Sequence, residues 1–279
     1  MNIFTSPEEL HAWSIEQKRL GRLVGLVPTM GCLHEGHLSL IREARRHADV
    51  VVVSIFVNPT QFAPNEDYAA YPRTEAEDLR LCEAEGVAAV FLPTPELMYP
   101  PDASTWVEET RLSKGYCGAQ RPIHFRGVCT VVAKLFNLAA PDVAVFGQKD
   151  FQQVAVIRRM VRDLNFPIQI IRAPIVREPD GLARSSRNRY LSPEARATAL
   201  SLSRSLAEAK AEVDAGERDA AKLEGEIRAK TSAAGWIPDY VTVADADTLV
   251  PLQTVRPGAS VILLACRNGT LRLIDNVLL

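Results

Sequence analysis

Apolar residues in the first two thirds of the chain fall into short continuous runs, and between the runs they recur at helical spacing. Val24, Leu26 and Val27 form one run, stopped where Pro28 removes a ladder donor. Asp49–Val57, reading DVVVVSIFV, forms the next, followed by Val87–Leu92, Asp142–Phe146 and Pro167–Ile171. Continuous β-branched runs suit parallel strands covered on both faces. Between them, Leu38, Ile41 and Ala44, with Leu40 and Ala48 alongside, lie three and four residues apart, which predicts a helix. Thr74–Glu85, Val128–Leu138, and the stripe Val154, Ile157, Val161 and Leu164 predict three more. Strand and helix patterns that alternate in this way predict βαβ units and a mostly parallel sheet over residues 1–175.

From about Val176 the pattern changes. Gly181–Tyr190, GLARSSRNRY, is short, basic and polar. Pro193–Gly216 predicts a long helix with Leu202, Leu206, Ala209 and Val213 on its apolar face, and a second helix follows over Ala220–Ala233. Tyr240–Val243, Val261–Ala265 and Leu271–Ile274 predict short strands, with Asn268-Gly269 as a hairpin turn. Residues 176–279 therefore read as a smaller α+β domain.

In an open parallel sheet, ligands bind beyond the carboxyl ends of the strands. The loops 28–37, 58–61 and 147–153 each follow a predicted strand, so they are expected to face one crevice. The first carries the most chemistry. It runs strand, glycine turn, helix, with His34 and His37 at the turn and first helical turn. A helix N-terminus offers unpaired N–H groups and the positive end of the dipole, a seat for phosphate. Imidazoles placed there can donate to phosphate oxygens, while the dipole disfavours further positive charge on them.

Composition limits the alternatives. The 47% hydrophobic and 24% charged content is that of an ordinary globular chain, and a net charge of −2 gives no global attraction to nucleic acid or an acidic membrane. The five cysteines are scattered, without Cys-x-x-Cys, which argues against a disulfide framework or a cysteine zinc site. Cys32 lies inside the histidine motif, where a space-filling role is expected. MNIFTSPEELHAW lacks a basic region followed by an apolar core, and the run Val50–Val57 is too short to span a bilayer, so a cytoplasmic protein without membrane partners is expected.

Lys149, at a strand exit and helix entry, can neutralise nucleotide phosphates; Asp150 can cap the helix or hold a ribose hydroxyl. Gln153, one turn on, shares their face. Gln61 and Gln153 offer neutral donors and acceptors in these loops. Arg184-Ser185-Ser186-Arg187 gathers two guanidiniums and two hydroxyls, and guanidinium forks match phosphate. Arg126 is a further candidate for an anionic contact.

His34-Glu35-Gly36-His37 resembles the HxGH signature of the nucleotidyltransferase superfamily. With Pro28-Thr29-Met30-Gly31, Phe56-Val57-Asn58-Pro59, Gln61-Phe62, Tyr71-Pro72-Arg73-Thr74, His124-Phe125-Arg126-Gly127, Phe146-Gly147-Gln148-Lys149-Asp150 and Ser185-Ser186-Arg187-Asn188, the chain resembles the pantoate–β-alanine ligase family over nearly its whole length. The resemblance implies a Rossmann-like parallel sheet domain followed by the smaller α+β domain. It implies ATP-dependent joining of pantoate to β-alanine through pantoyl adenylate, with AMP and pyrophosphate released. By the same resemblance Met30, Gly31, Cys32, Leu33, His34, Glu35, Gly36, His37, Gly147, Gln148, Lys149, Asp150, Val176, Arg184, Ser185, Ser186 and Arg187 contact ATP. Gln61, Gln153 and Arg126 serve pantoate or β-alanine, and His37, His34, Lys149 and Arg187 act in catalysis. Mg²⁺ accompanies ATP, with Glu77-Asp78 as a candidate holder, and a homodimer is implied. Cys32 stands where a smaller or amide residue is expected. Two rival readings are a transferase that stops at nucleotidyl transfer, which the long second domain and paired glutamines disfavour, and a non-catalytic nucleotide-binding regulator. The second is disfavoured because both histidines, Lys149 and Arg187 are retained.

Overall fold

A computed structural model describes residues 1–64, 66 and 68–279. In chain order its elements are β1 (Asn2–Phe4), α1 (Pro7–Arg19), β2 (Val24–Thr29), α2 (Glu35–Ala44), β3 (Val50–Ile55), α3 (Glu75–Ala84), β4 (Ala89–Phe91), α4 (Pro95–Met98), α5 (Tyr116–Gln120), α6 (His124–Ala139), β5 (Val143–Gly147), α7 (Phe151–Asp163) and β6 (Gln169–Ala173). Then come α8 (Pro193–Asp214), α9 (Ala220–Ala233), β7 (Ile237–Asp245), β8 (Ser260–Asn268) and β9 (Leu271–Leu278). Short 3₁₀ turns occupy Pro59–Gln61, Gln148–Asp150 and Ser186–Tyr190.

The first six strands form one parallel sheet in the order β1-β4-β3-β2-β5-β6. β2, β3 and β5 are neighbours, so the segments leaving them after Thr29, Ile55 and Gly147 start at the same edge of the sheet. The apolar runs behave as parallel central strands should: Val24, Leu26, Val27, Val51, Val52 and Val53 are all buried. Leu38, Leu40, Ile41 and Ala44 of α2 pack with Val27, Val51, Val53 and Val145 in one cluster. Each large aliphatic side chain so buried contributes about 1.5–3 kcal/mol. The periodicity did not reveal β1 and α1. Their signals are local ones: Ser6 caps α1 by accepting from the Glu9 N–H, and Pro7 starts it. The helix expected near Val128 begins earlier, at His124.

Contacts divide the chain into two compact units: Met1–Gly147 with Val156–Ala173, and Gln148–Ala155 with Pro174–Leu279. The change of pattern near 176 is thus accompanied by one excursion, in which the Gln148–Ala155 segment joins the second unit. That unit is an antiparallel sheet β7-β8-β9 and the helices α8 and α9. Its core holds Leu202, Leu206, Leu223, Ile227, Trp236, Ile262 and Leu264, and Trp236 donates its indole N–H to Thr198. The architecture is the expected one: an α/β parallel sheet followed by a smaller α+β part.

Candidate active site

In the first unit the chain leaving β2 turns sharply. Gly31 has φ +78°, and a Cβ there would lie 2.9 Å from an oxygen of Asp78 and 3.0 Å from Ile55, so only glycine fits. Cys32 follows at φ +52°, a left-handed conformation that favours Gly or Asn. This is the physical reason for expecting a smaller or amide residue at that position. Cys32 is 3% exposed, as a space-filling residue would be. The buried Asp78 clamps the turn from α3. Its Oδ2 accepts the Cys32 N–H at 2.9 Å, and its Oδ1 accepts the Leu33 N–H at 2.7 Å and the Thr74 hydroxyl at 3.2 Å. Thr29 ties the turn to β3 by donating to the Ser54 carbonyl and accepting from the Gly31 N–H.

The turn delivers His34 as the N-cap of α2. His34 Nδ1 accepts the Gly36 N–H at 3.1 Å, and His37 Nδ1 accepts the His34 N–H at 3.3 Å, a reciprocal capping box made of two imidazoles. The rings stack with centroids 4.1 Å apart and planes 26° from parallel. Because each Nδ1 accepts a backbone proton, the neutral rings carry their own protons on Nε2. Both histidines are therefore set as Nε2–H donors at a helix N-terminus. Glu35 is ion-paired with Arg42, which also binds Glu85, so its carboxylate has a role on the outer face of α2.

Gln61 sits in the 3₁₀ turn after β3 and is 8% exposed. Its Nε2 donates to Met30 Sδ at 3.2 Å, and its Oε1 accepts from Asn58 Nδ2 at 3.1 Å. Asn58 is itself fully engaged, donating also to the Gly127 carbonyl and accepting from the Tyr99 and Thr60 hydroxyls. The first turn of α6 lies directly against this loop. A Cβ on Gly127 would be 2.5 Å from the Thr60 oxygen and 2.6 Å from the Gln61 nitrogen. The Gln61 carbonyl bonds to His124 Nδ1 at 3.0 Å and accepts from Arg121 at 3.2 Å. Arg121 also forks onto Glu66. Burial pushes the Glu66 carboxyl up, but the bonds and charge of Arg121 outweigh it and hold the group below the usual glutamate range. Arg126 stacks its guanidinium over Trp106, 4.7 Å from the ring centre.

In the second unit, the 3₁₀ turn Gln148–Asp150 presents Lys149, with Asp150 3.8 Å from its ammonium. Gln153 is half-buried on the first turn of α7. The basic segment is also organised. Arg184 N–H donates to the Val176 carbonyl at 2.9 Å, and Ser185 caps the 3₁₀ turn by accepting from the Arg187 N–H. Asn188 donates to Glu178 and to the Ala183 carbonyl, closing the loop.

Both candidate metal holders are otherwise engaged. Glu77 is paired with Arg80 on the surface, and both oxygens of Asp78 are committed to motif N–H groups. Neither suits a cation, and no group of three or more His, Cys, Asp or Glu suited to a metal occurs among the described residues. The roles of Asp78, Asn58 and Gly127 as supports were not legible beforehand. Only the Thr74–Asp78 spacing on one predicted helix hinted at the first.

The sequence profile described as Pantoate-beta-alanine ligase matches residues 2–278. The pantothenate synthetase of Thermotoga petrophila is 55% identical over 280 residues, covering 100% of both chains. The solved pantothenate synthetase of Thermus thermophilus superposes with TM-score 0.92 at 43% identity over 99% of each chain. The pantoate–β-alanine ligase of Francisella tularensis, solved in complex with beta-gamma ATP and β-alanine, superposes with TM-score 0.83 at 34% identity over 100% of this chain and 97% of that one. An identity above half along the full length and a shared fold leave one conclusion: this chain belongs to the pantoate–β-alanine ligase family.

Proposed function

We propose that the protein joins pantoate to β-alanine in two steps driven by ATP. In the first, a pantoate carboxylate oxygen attacks the α-phosphorus; the O–P bond to pyrophosphate breaks, and pantoyl adenylate forms. In the second, the amine of β-alanine attacks the acyl carbon, the C–O bond to AMP breaks, and one proton is released. A carboxylate is nucleophilic at pH 7, so no activated Ser or Cys is required. The need is to align it with phosphorus and to meet charge that builds on phosphoryl oxygens.

The observation that carries this reading is the paired imidazole cap of α2, which sets two Nε2–H donors beside the positive end of a helix dipole. In the proposal His37 meets the α-phosphate and His34 the triphosphate. The other motif residues, Met30 to Gly36, contribute backbone contacts to ATP. Gln61 holds pantoate, its amide oriented by Asn58 and Met30. Gln153 is proposed for pantoate as well, and Arg126 for an anionic substrate group. Lys149, with Gly147, Gln148 and Asp150, and the segment Val176 and Arg184 to Arg187 are proposed to bind the nucleotide's phosphates and ribose. Mg²⁺ is proposed to arrive with ATP, bound by its phosphates, since Glu77 and Asp78 are otherwise engaged. The proposal includes a cytoplasmic location and a homodimer; the family resemblance implies the dimer, and sedimentation would test it.

The test is the substrate dependence of AMP release. AMP is expected to accumulate from ATP only when pantoate and β-alanine are both present. Release that ignores either one overturns the reading.

A further inference from the structure

β9 carries a buried pair, Asp275 and Asn276, 4% and 2% exposed. The Asn276 amide spends both its hydrogens on consecutive backbone carbonyls, those of Gln148 at 2.9 Å and Lys149 at 3.0 Å. Its oxygen accepts from the Gln148 side-chain amide at 3.2 Å, and its backbone N–H donates to Asp275 Oδ1 at 2.8 Å. Asp275 in turn grips Arg177 through two bonds, of 2.8 and 3.0 Å. Arg177 bridges to Ala183, and Arg184 pairs with Val176 on the same short ribbon. Two adjacent residues near the end of the chain thus tie down the Lys149 turn and the base of the Arg184–Arg187 segment.

We propose that Asn276 is a positioning residue for Lys149, acting through the carbonyls of Gln148 and Lys149, with Asp275 anchoring the basic segment from the next position. The inference rests on the reading of Lys149 as a phosphate ligand. The chemistry favours an asparagine. A carboxylate would oppose two carbonyl oxygens, and a hydroxyl could serve only one of them. A two-donor amide is the neutral group that fixes both at once. It holds the turn where β5 hands over to α7, and the direction of the lysine side chain follows from the turn. Burial away from competing water keeps these bonds from exchanging.

A double-mutant cycle on the full-length enzyme tests this, with single-turnover pantoyl-adenylate formation and the thermal midpoint as readouts. Asn276→Ala is expected to slow adenylate formation roughly 10–100-fold, the range for a displaced group near a reacting centre. In a Lys149→Ala background the same change is expected to add less than about twofold, because the lysine it serves is gone. If Asn276→Ala does not fold, Asn276→Thr, which suits a strand and lacks the amide, replaces it in the cycle. Equal fold-losses in both backgrounds would mark Asn276 as a general stability residue and overturn the inference, as would normal adenylation by the single variant. If Lys149→Ala itself forms adenylate at the wild-type rate, the reading of Lys149 falls along with it. If only Asn276→Ala is silent, that reading stands alone.

Discussion

His34 and His37 cap each other: the backbone N–H of His34 donates to His37 Nδ1, while His34 Nδ1 takes the Gly36 N–H and the two rings stack at 4.1 Å. Capping uses Nδ1 of each ring, whereas the proposed phosphate contact uses Nε2, so substitutions can separate the two. Asparagine places an acceptor oxygen where Nδ1 stands but has no counterpart of Nε2. His37→Asn is expected to keep the helix start and thermal midpoint, yet lose about 10²–10³ in single-turnover adenylation. His34→Ala removes the N-cap and is expected to lose roughly 0.5–2 kcal/mol of stability in addition. Chemical denaturation alongside rapid-quench kinetics checks both. Adenylation by His37→Asn at the wild-type rate would remove Nε2 from the mechanism.

Gln61 offers a cleaner test of the acceptor side. Gln61→Ala is expected to raise the KM for pantoate while ATP affinity stays nearly constant, since the proposal places Gln61 on pantoate and not on the nucleotide. A contact of this kind is worth about 0.5–3 kcal/mol, with the upper part applying to a charged partner. Titration of ATP and pantoate separately decides it. A variant that loses ATP but keeps pantoate would reverse the assignment.

Gly127 cannot accept a side chain. The atoms in the way, 2.5 Å and 2.6 Å from the Cβ position, are both backbone, and neither can swing aside. Gly127→Ala should destabilise by about 1–3 kcal/mol. It should also push the Gln61 turn off α6, so that the pantoate KM rises together with the fall in urea midpoint. A stable variant with unchanged KM would show that the loop does not lean on α6.

The Glu66–Arg121 pair predicts a pH dependence. The folded carboxyl titrates below its ordinary 4.5, so its contribution is full above about pH 4.5 and disappears as the pH falls through the lower folded value. Glu66→Gln should lower stability at neutral pH and flatten the stability profile across that acid interval. Urea midpoints measured against pH check the slope. A profile that is identical in the variant would assign the acid limb to other carboxylates.

Thiol chemistry separates the five cysteines. Burial pushes the thiols of Cys82, Cys129 and Cys266 up to about 12, so at pH 8 their thiolate fraction is on the order of 10⁻⁴. Cys32 is also buried, while Cys117 is partly accessible. Iodoacetamide on the native protein should label Cys117 first, with the other four reacting only after denaturation, as peptide mass spectrometry would report. Native labelling of Cys32 ahead of Cys117 would overturn the space-filling reading of Cys32.

Much of this was legible because it is periodic or local. Buried parallel strands appear as unbroken apolar runs, and the Pro28–His37 turn has its glycine and histidines in a short span. What escaped were side chains whose partners are distant. Asp78 was a metal candidate only because the family resemblance implies Mg²⁺ with ATP, yet its oxygens face N–H groups 45 and 46 residues away. Asn58, Gly127 and Asn276 carry no periodic signal, since each matters through contacts with residues far along the chain. Short β1 gave too few residues for any period to show.

The excursion of Gln148–Ala155 into the second unit has a consequence for synthesis. The chain crosses between the units after Gly147, after Ala155 and after Ala173, so neither unit is an unbroken stretch of the polypeptide. Multidomain chains tend to settle from the N-terminus as they emerge. Here the Lys149 turn leaves the ribosome 127 residues ahead of Asn276, the side chain that holds its carbonyls. A nascent chain can complete its first sheet and still lack a finished lysine turn. On the proposed role of Lys149, adenylation depends on a support that β9 supplies, and a nascent chain that stops before Asn276 carries the completed sheet without it.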